Sequence, residues 1–246
     1  MKQFQYFIIL QLIVFLLFSI SLKAQIIIDA NLTEWGDYKN MQFDKENKLY
    51  YAFKKDNQFL YFAILKKDNS SKFLGGGVQL YFSQKQKDTT SLQILFANSF
   101  KDPVTNQNQR YNHDYFTVKN LTPNSHQQLT TNNETGILLE WNITDIKYLV
   151  VNGDVLDTKA TPPDPNIFSA EIQIPLEHLQ KYKTDETINF GIALRGTSFR
   201  INPTLLLQMR KSTINSQYPY SQESLDRLIA SSFFETIDLK SVPFVN

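Results

Sequence analysis

The chain has 246 residues, with 25 basic and 24 acidic side chains, two tryptophans and no cysteine. This balance of charge gives no electrostatic reason to expect binding to nucleic acid or to an anionic membrane. The lack of cysteine excludes disulfides, thiolate metal sites and a cysteine nucleophile. We therefore expect the fold to be held by the burial of apolar side chains rather than by cross-links.

Residues 1–24 have the pattern of an export signal. Lys2 gives a positive start, residues 7–20 are almost entirely apolar, and Ala24 supplies a small residue where cleavage is expected. The apolar run of about 14 residues is short against the roughly 20 that a membrane-spanning helix needs. The pattern predicts a secreted or periplasmic protein whose mature chain, 25–246, is one domain and not an integral membrane protein; the alternative is an uncleaved anchor.

The rest of the chain has the periodicity of β-strands. Both faces of residues 58–66 are apolar, which predicts a strand in the middle of its sheet. Only 176–182 and 221–230 have a helical pattern. The sequence predicts an all-β, antiparallel, jelly-roll-like β-sandwich with one or two short helices. The expected strands are 48–55, 58–66, 75–83, 91–100, 115–121, 136–143, 168–175, 187–195 and 233–239.

Several motifs in order carry a resemblance to a known family. IIIDANLTEW is followed by a strand pair, a glycine-led VQLYFS strand, AEIQIPLEHL and a final FFETIDL. This series resembles family 9 carbohydrate-binding modules and their relatives in the wider DOMON-like group, over most of 25–246. Ala30 stands where the family usually has glycine. The resemblance implies a jelly-roll-like sandwich, and sugar binding by aromatic rings in the sugar-binding members.

Candidate ligand-binding side chains lie in two loops and on one strand. Aromatic rings can stack on the C–H groups of a sugar, while Arg, His and Asp bind its hydroxyls. The alternative for Trp141 is a core role, because it shares its strand face with Ile137 and Leu139. The alternatives for the others are an anchoring role for the loop residues 110–115 and solvated edge charges for Arg195 and Arg200. Trp35 is expected to pack against the sandwich. The candidates are Trp141, Arg110, Tyr111, His113, Asp114, Tyr115, Arg195 and Arg200.

Two cofactors come into question. Asp154, Asp157 and Asp164 occupy a proline-marked loop and offer oxygen ligands for a structural Ca²⁺, although their spacing is not that of an EF-hand. Haem, the second ligand class of DOMON-like proteins, needs axial ligands such as Met or His. Met209 alternates with leucines as a core residue does, and C-x-x-C-H is missing, so the sequence argues against haem.

The sequence contains no recognisable catalytic motif. G-x-S-x-G and H-E-x-x-H are missing, and the glycines at 75–77 lead into a strand rather than a phosphate-binding helix. We predict an exported, non-enzymatic module that binds a glycan or a cell-surface polymer. The alternatives are an envelope structural or protein-interaction module without a small ligand, and a haem-binding electron carrier. Burial of Trp141, Tyr111 and Tyr115 would favour the interaction module.

Overall fold

The computed structural model describes residues 26–67, 76–85, 90–97, 100–101, 108–109, 115–121, 126, 128–132, 134–144, 167–196 and 230–245. In these ranges the protein is mostly β, which confirms the predicted class. The strands are β1 (Gln42–Asp44), β2 (Leu49–Lys55), β3 (Phe59–Lys66), β4 (Val78–Ser83), β5 (Leu92–Phe96), β6 (Phe100–Lys101), β7 (Asn108–Gln109), β8 (Tyr115–Lys119), β9 (Gln128–Thr131), β10 (Leu138–Thr144), β11 (Ile167–Pro175), β12 (Lys183–Thr184), β13 (Thr187–Leu194) and β14 (Ser231–Asp238).

The strands form two main antiparallel sheets. The first has the order β1-β2-β3-β11-β10, and the second has the order β12-β13-β4-β5-β8-β9 with β14 also paired to β13. Strands β6 and β7 pair with each other separately. The first sheet contains the AEIQIP motif, because this motif lies in β11, beside β3.

The main core lies between the two sheets. Alternate residues of β2 and β3 face inward, so that Leu49, Tyr51 and Phe62 are buried. Phe62 of the first sheet meets Phe190 of the second with ring centroids 4.9 Å apart. The period-two alternation of the sequence therefore identifies this core correctly.

The outer face of the first sheet carries a second, smaller apolar cluster, which we call the outer cluster. The N-terminal segment 26–41 lies on this face and contributes Ile26, Trp35 and Met41, which pack with Tyr61 and Ala63 of β3. Strand β3 is therefore covered on both sides and lies between β2 and β11. This confirms the prediction of a central strand and gives its physical reason.

The structure differs from the prediction mainly in small elements. The helical pattern at 176–182 forms the four-residue helix α1 (Leu176–Leu179) followed by a 3₁₀ turn, Gln180–Tyr182. Four strands of two to four residues, namely β1, β7, β9 and β12, were not predicted because they are too short to show a period, and β6 begins at the last residue of the predicted strand 91–100. The predicted signal 1–24 and most of the predicted helix 221–230 lie outside the described residues.

Gly191 provides a test of the packing on the outer face of the second sheet. It lies opposite Phe234 of β14, and a Cβ at this position would stand 2.4 Å from Cε1 of that ring. Gly191→Ala should therefore displace the ring and lower the free energy of unfolding by about 1–3 kcal/mol in urea titrations. In a Phe234→Ala background the same substitution should cost far less. An equal cost in both backgrounds would contradict this contact.

Candidate functional site

A short capped turn places Trp35 against the first sheet. The 3₁₀ turn Leu32–Trp35 begins after Asn31, whose side-chain oxygen accepts from the Thr33 N–H, and ends at Gly36 with φ 78°. Ala30, just before the turn, has φ 61°. This is the left-handed region that glycine prefers, and it is the position where the resembled family usually has glycine. The local sequence thus fixes a reversal of the chain next to β11, where Ser169 Oγ donates to the Ala30 carbonyl at 2.7 Å.

The sheet leaves room for the indole at two alanines. Ala52, Ala63 and Glu171 are neighbours in one row across β2, β3 and β11. Trp35 packs into this row as part of the outer cluster. The Lys54 ammonium lies 5.2 Å from the centre of the Trp35 ring and donates to the Glu34 carbonyl at 2.7 Å. Small side chains below and a cation beside the ring therefore hold the tryptophan in place.

Glu171 connects the motif AEIQIPLEHL, to which it belongs, with the motif IIIDANLTEW. The Trp35 Nε1–H donates to Glu171 Oε1 at 2.6 Å, and the Asp29 N–H donates to Oε2 at 3.0 Å. Glu171 is completely buried. A buried carboxylate without donors would be strongly destabilising, so these two bonds are what allow an acid on this face. The expectation that Trp35 packs against the sandwich is confirmed, and its partner is the acid of AEIQIP.

Three carboxylates meet at this point. Oxygens of Asp29, Glu34 and Glu171 lie within 4.8 Å of one another, and among the described residues none of the three forms an ion pair. Asp29 Oδ1 accepts from the Asn31 N–H at 2.8 Å, and Glu34 Oε1 accepts from the Ile27 N–H at 3.2 Å. Backbone donors therefore orient this acidic cluster. Carboxylate oxygens are the ligand type of Ca²⁺.

The charge state of Glu171 depends on pH near neutrality. The pKa of Glu171 is raised to about 7, mainly by burial and to a smaller extent by the negative charges of Glu34 and Asp29, while the donors from Trp35 and Asp29 act in the opposite direction. At acid pH the protonated side chain therefore relieves the repulsion within the cluster.

A row of aromatic side chains lies at the other end of the same surface. Phe43 of β1 and Tyr50 of β2 are directly opposite each other, with ring centroids 4.9 Å apart. Tyr38 meets Tyr50 edge-on at 5.1 Å, and the Lys67 ammonium lies 3.9 Å from the centre of the Tyr38 ring. Phe43 is 48% exposed. We call Phe43, Tyr50, Tyr38 and Lys67 the aromatic ledge.

The N-terminal segment also builds part of this ledge. Tyr38 begins a 3₁₀ turn, Tyr38–Asn40, which Asp37 caps by accepting from the Lys39 N–H at 3.0 Å. The ledge is not evident from the sequence alone, because Phe43 lies in the unpredicted three-residue strand β1. A signal was present in the spacing of Tyr38, Phe43 and Tyr50, but only the pairing of β1 with β2 brings the rings together.

Three of the predicted ligand-binding residues fall in described elements. Trp141 is 3% exposed and stacks on Phe168 with ring centroids 6.0 Å apart. It is therefore a core residue, and its ring does not form part of an exposed binding surface. Arg195 follows β13 and is half-buried, and its backbone N–H donates to the Gly77 carbonyl at 3.0 Å. Tyr115 begins β8, but its side chain is not among those described. The other predicted site residues lie outside the described residues: Arg110, Tyr111, His113, Asp114, Arg200, Asp154, Asp157 and Asp164.

Comparison with known proteins adds no relative. The chain matches no family model, no curated protein and no solved structure. The resemblance to family 9 carbohydrate-binding modules, the structural Ca²⁺ and the argument against haem therefore stay predictions. Within the described ranges, no helix combines the length and the apolar character needed to cross a membrane.

The acidic cluster predicts how stability depends on pH. Because the pKa of Glu171 is raised from 4.5 to about 7, its stabilising contribution is fully present below about pH 4.5 and is lost as the pH rises through 7. Glu171→Gln keeps an oxygen for the Trp35 N–H and removes this titration. The variant should therefore show a flatter dependence of Tm on pH between about pH 5 and pH 8 than the unmodified protein.

Glu177→Gln is the matched control, because Glu177 is exposed on α1. This variant should keep the slope of the unmodified protein in the same calorimetric series. Identical slopes for Glu171→Gln and the unmodified protein would contradict the proposed titration of the buried carboxyl.

Proposed function

We propose that this protein is an exported, non-catalytic module that binds a glycan at the aromatic ledge. The observation that carries the proposal is the exposure of Phe43, which is 48% accessible while its ring is supported by Tyr50. An aromatic face of this kind fits the C–H face of a sugar ring. Because Tyr50 already restricts the motion of Phe43, little conformational entropy is lost when a ligand stacks on it.

The surroundings of the ledge support this use of the surface. Tyr38, Tyr50 and Phe43 form one continuous group rather than scattered apolar side chains. A cluster of exposed aromatic surface next to polar side chains is typical of interaction sites. The Lys67 ammonium at the end of the row supplies hydrogen-bond donors beside the rings. Stacking and donation, the two contacts that a sugar needs, are thus available side by side.

The properties of Glu171 support a non-catalytic role. A carboxyl whose pKa is raised to about 7 would ordinarily be a candidate general acid. However, Glu171 is completely buried, and its two oxygens accept from Trp35 and Asp29. A general acid must reach the proton acceptor on its substrate. The buried position of Glu171 therefore fits a structural role.

The burial of the tryptophans favours a second candidate, an envelope structural or protein-interaction module. Trp35 and Trp141 are 7% and 3% exposed, so neither ring presents a stacking surface. In that case the ledge would contact a protein and no free glycan would bind. Calorimetric titration of a polysaccharide panel separates the two proposals, because only the glycan-binding module gives heat with a saccharide.

Phe43→Ala should weaken glycan binding by about five- to tenfold, or ~1 kcal/mol, through the loss of the stacking surface. The fold should be unaffected, because β1 is a short edge strand. Isothermal titration calorimetry with the tightest-binding polysaccharide of the panel measures this change.

Phe244→Ala is the matched control. Phe244 is 55% exposed but bridges to Lys55, at the end of β2 opposite to Tyr50. This substitution should leave binding unchanged. The ledge would be the wrong surface if Phe244→Ala weakened binding and Phe43→Ala did not, and absence of heat with every saccharide would contradict glycan binding altogether.

A further inference from the structure

The positive charge around the aromatic ledge indicates which kind of saccharide it takes, and this step rests on the proposed function. Lys67 follows β3 directly and holds its ammonium 3.9 Å from the centre of the Tyr38 ring. A cation–π contact fixes the position of the ammonium, but it leaves N–H donors of the group to meet an acceptor on a ligand. Lys67 thus places a localised positive charge at one end of the row of rings.

Further lysines lie at the same end of the sheet. Lys45 and Lys48 are exposed in the turn that connects β1, which carries Phe43, with β2, which carries Tyr50. Lys66 Nζ donates to the carbonyls of Asn47 and Lys48 at 2.9 and 3.0 Å. These bonds fasten the end of β3, which Lys67 follows, to the turn that carries Lys45 and Lys48.

Acidic side chains balance this charge only in part. Asp37 and Glu46 are the exposed carboxylates of 37–48. Asp37 caps the 3₁₀ turn by accepting from the Lys39 N–H, and its negative charge also acts on Lys67. Asp44 is completely buried, where its carboxylate accepts from Asn47 Nδ2 at 2.6 Å. Among the described residues of 37–48, Lys39, Lys45 and Lys48 thus stand beside the exposed Asp37 and Glu46, and Lys67 is the lysine that contacts a ring of the ledge.

We infer that the ligand of the ledge is an anionic saccharide, with a sugar ring stacked on Phe43 and an acidic group paired with Lys67. The contacts run from Phe43 through Tyr50 and Tyr38 to Lys67. The stacking ring and the ammonium therefore stand at opposite ends of one row. A neutral sugar gains stacking and hydrogen bonds, whereas a polymer with carboxylate or sulfate groups also gains attraction to the positive charge of Lys67.

The test compares one saccharide in a charged and an uncharged form. Oligogalacturonate and its methyl ester share the sugar ring and differ in charge, and dextran sulfate distinguishes a sulfated from a carboxylated source. By isothermal titration calorimetry, the full protein should bind an anionic probe about tenfold or more tighter than the methyl ester. The preference should decrease as salt is raised, because exposed charges are screened.

Two lysine variants test whether the charge acts at a defined place. Lys67→Gln should weaken binding of the anionic probe about two- to fivefold and leave binding of the methyl ester unchanged. Lys240→Gln is the control, because Lys240 is exposed beyond β14, near the Lys55 end of β2. This variant should bind both probes as the unmodified protein does.

The outcomes separate this inference from the function on which it rests. Equal affinity for the acid and its ester, with loss of both in Phe43→Ala, would overturn the anionic ligand and keep glycan binding. An anionic preference that neither Lys67→Gln nor Phe43→Ala reduces would be unspecific ion exchange and would overturn it too. If no saccharide binds, both proposals fail. Tighter binding of dextran sulfate than of oligogalacturonate, sensitive to both variants, would support the inference with a sulfated source.

Discussion

The buried hydrogen bond between Trp35 and Glu171 is the contact on which the outer layer of this protein depends. It connects residues 136 positions apart in the chain and fastens segment 26–41 to the outer face of the first sheet. Either partner alone would be a polar group buried without its main contact, which costs more than the bond itself contributes. Since Tyr38 belongs to this segment, its place in the aromatic ledge also depends on that attachment.

A carboxylate at this place makes the attachment sensitive to its surroundings. Glutamine could accept the Trp35 N–H but would lose the acceptor for the Asp29 N–H, whereas glutamate accepts from both and adds a charge beside Asp29 and Glu34. The same oxygens can therefore be satisfied by a proton or by a cation, whereas an amide would be indifferent to both. Segment 26–41 supplies Asp29 and Glu34 to the acidic cluster and Tyr38 to the ledge. The binding surface and the acidic cluster are thus parts of one layer.

The sequence is sufficient to predict what depends on local periodicity. Alternation places Leu49, Tyr51 and Trp141 in the core, and the apolar faces of 58–66 give β3 its central place. It is insufficient where a contact joins distant segments, because nothing in IDANLTEW specifies that its tryptophan meets the acid of AEIQIP. The ledge could not be predicted for a related reason. Strand β1 is too short to show a period, and Phe43 joins the other rings only through its pairing with Tyr50 of β2.

The lysines beside the ledge have a second physical explanation that bears on how the surface evolved. An exposed phenylalanine on an edge strand favours unwanted pairing with another chain, and charged residues on or near an edge prevent it. Lys45 and Lys48 suit that purpose, and a negative charge would serve it equally well. Lys67 differs, because its ammonium is held at a fixed place by the Tyr38 ring. Protection against aggregation does not require such positioning, whereas recognition of an acidic group does, so Lys67 is the residue at which the two explanations diverge.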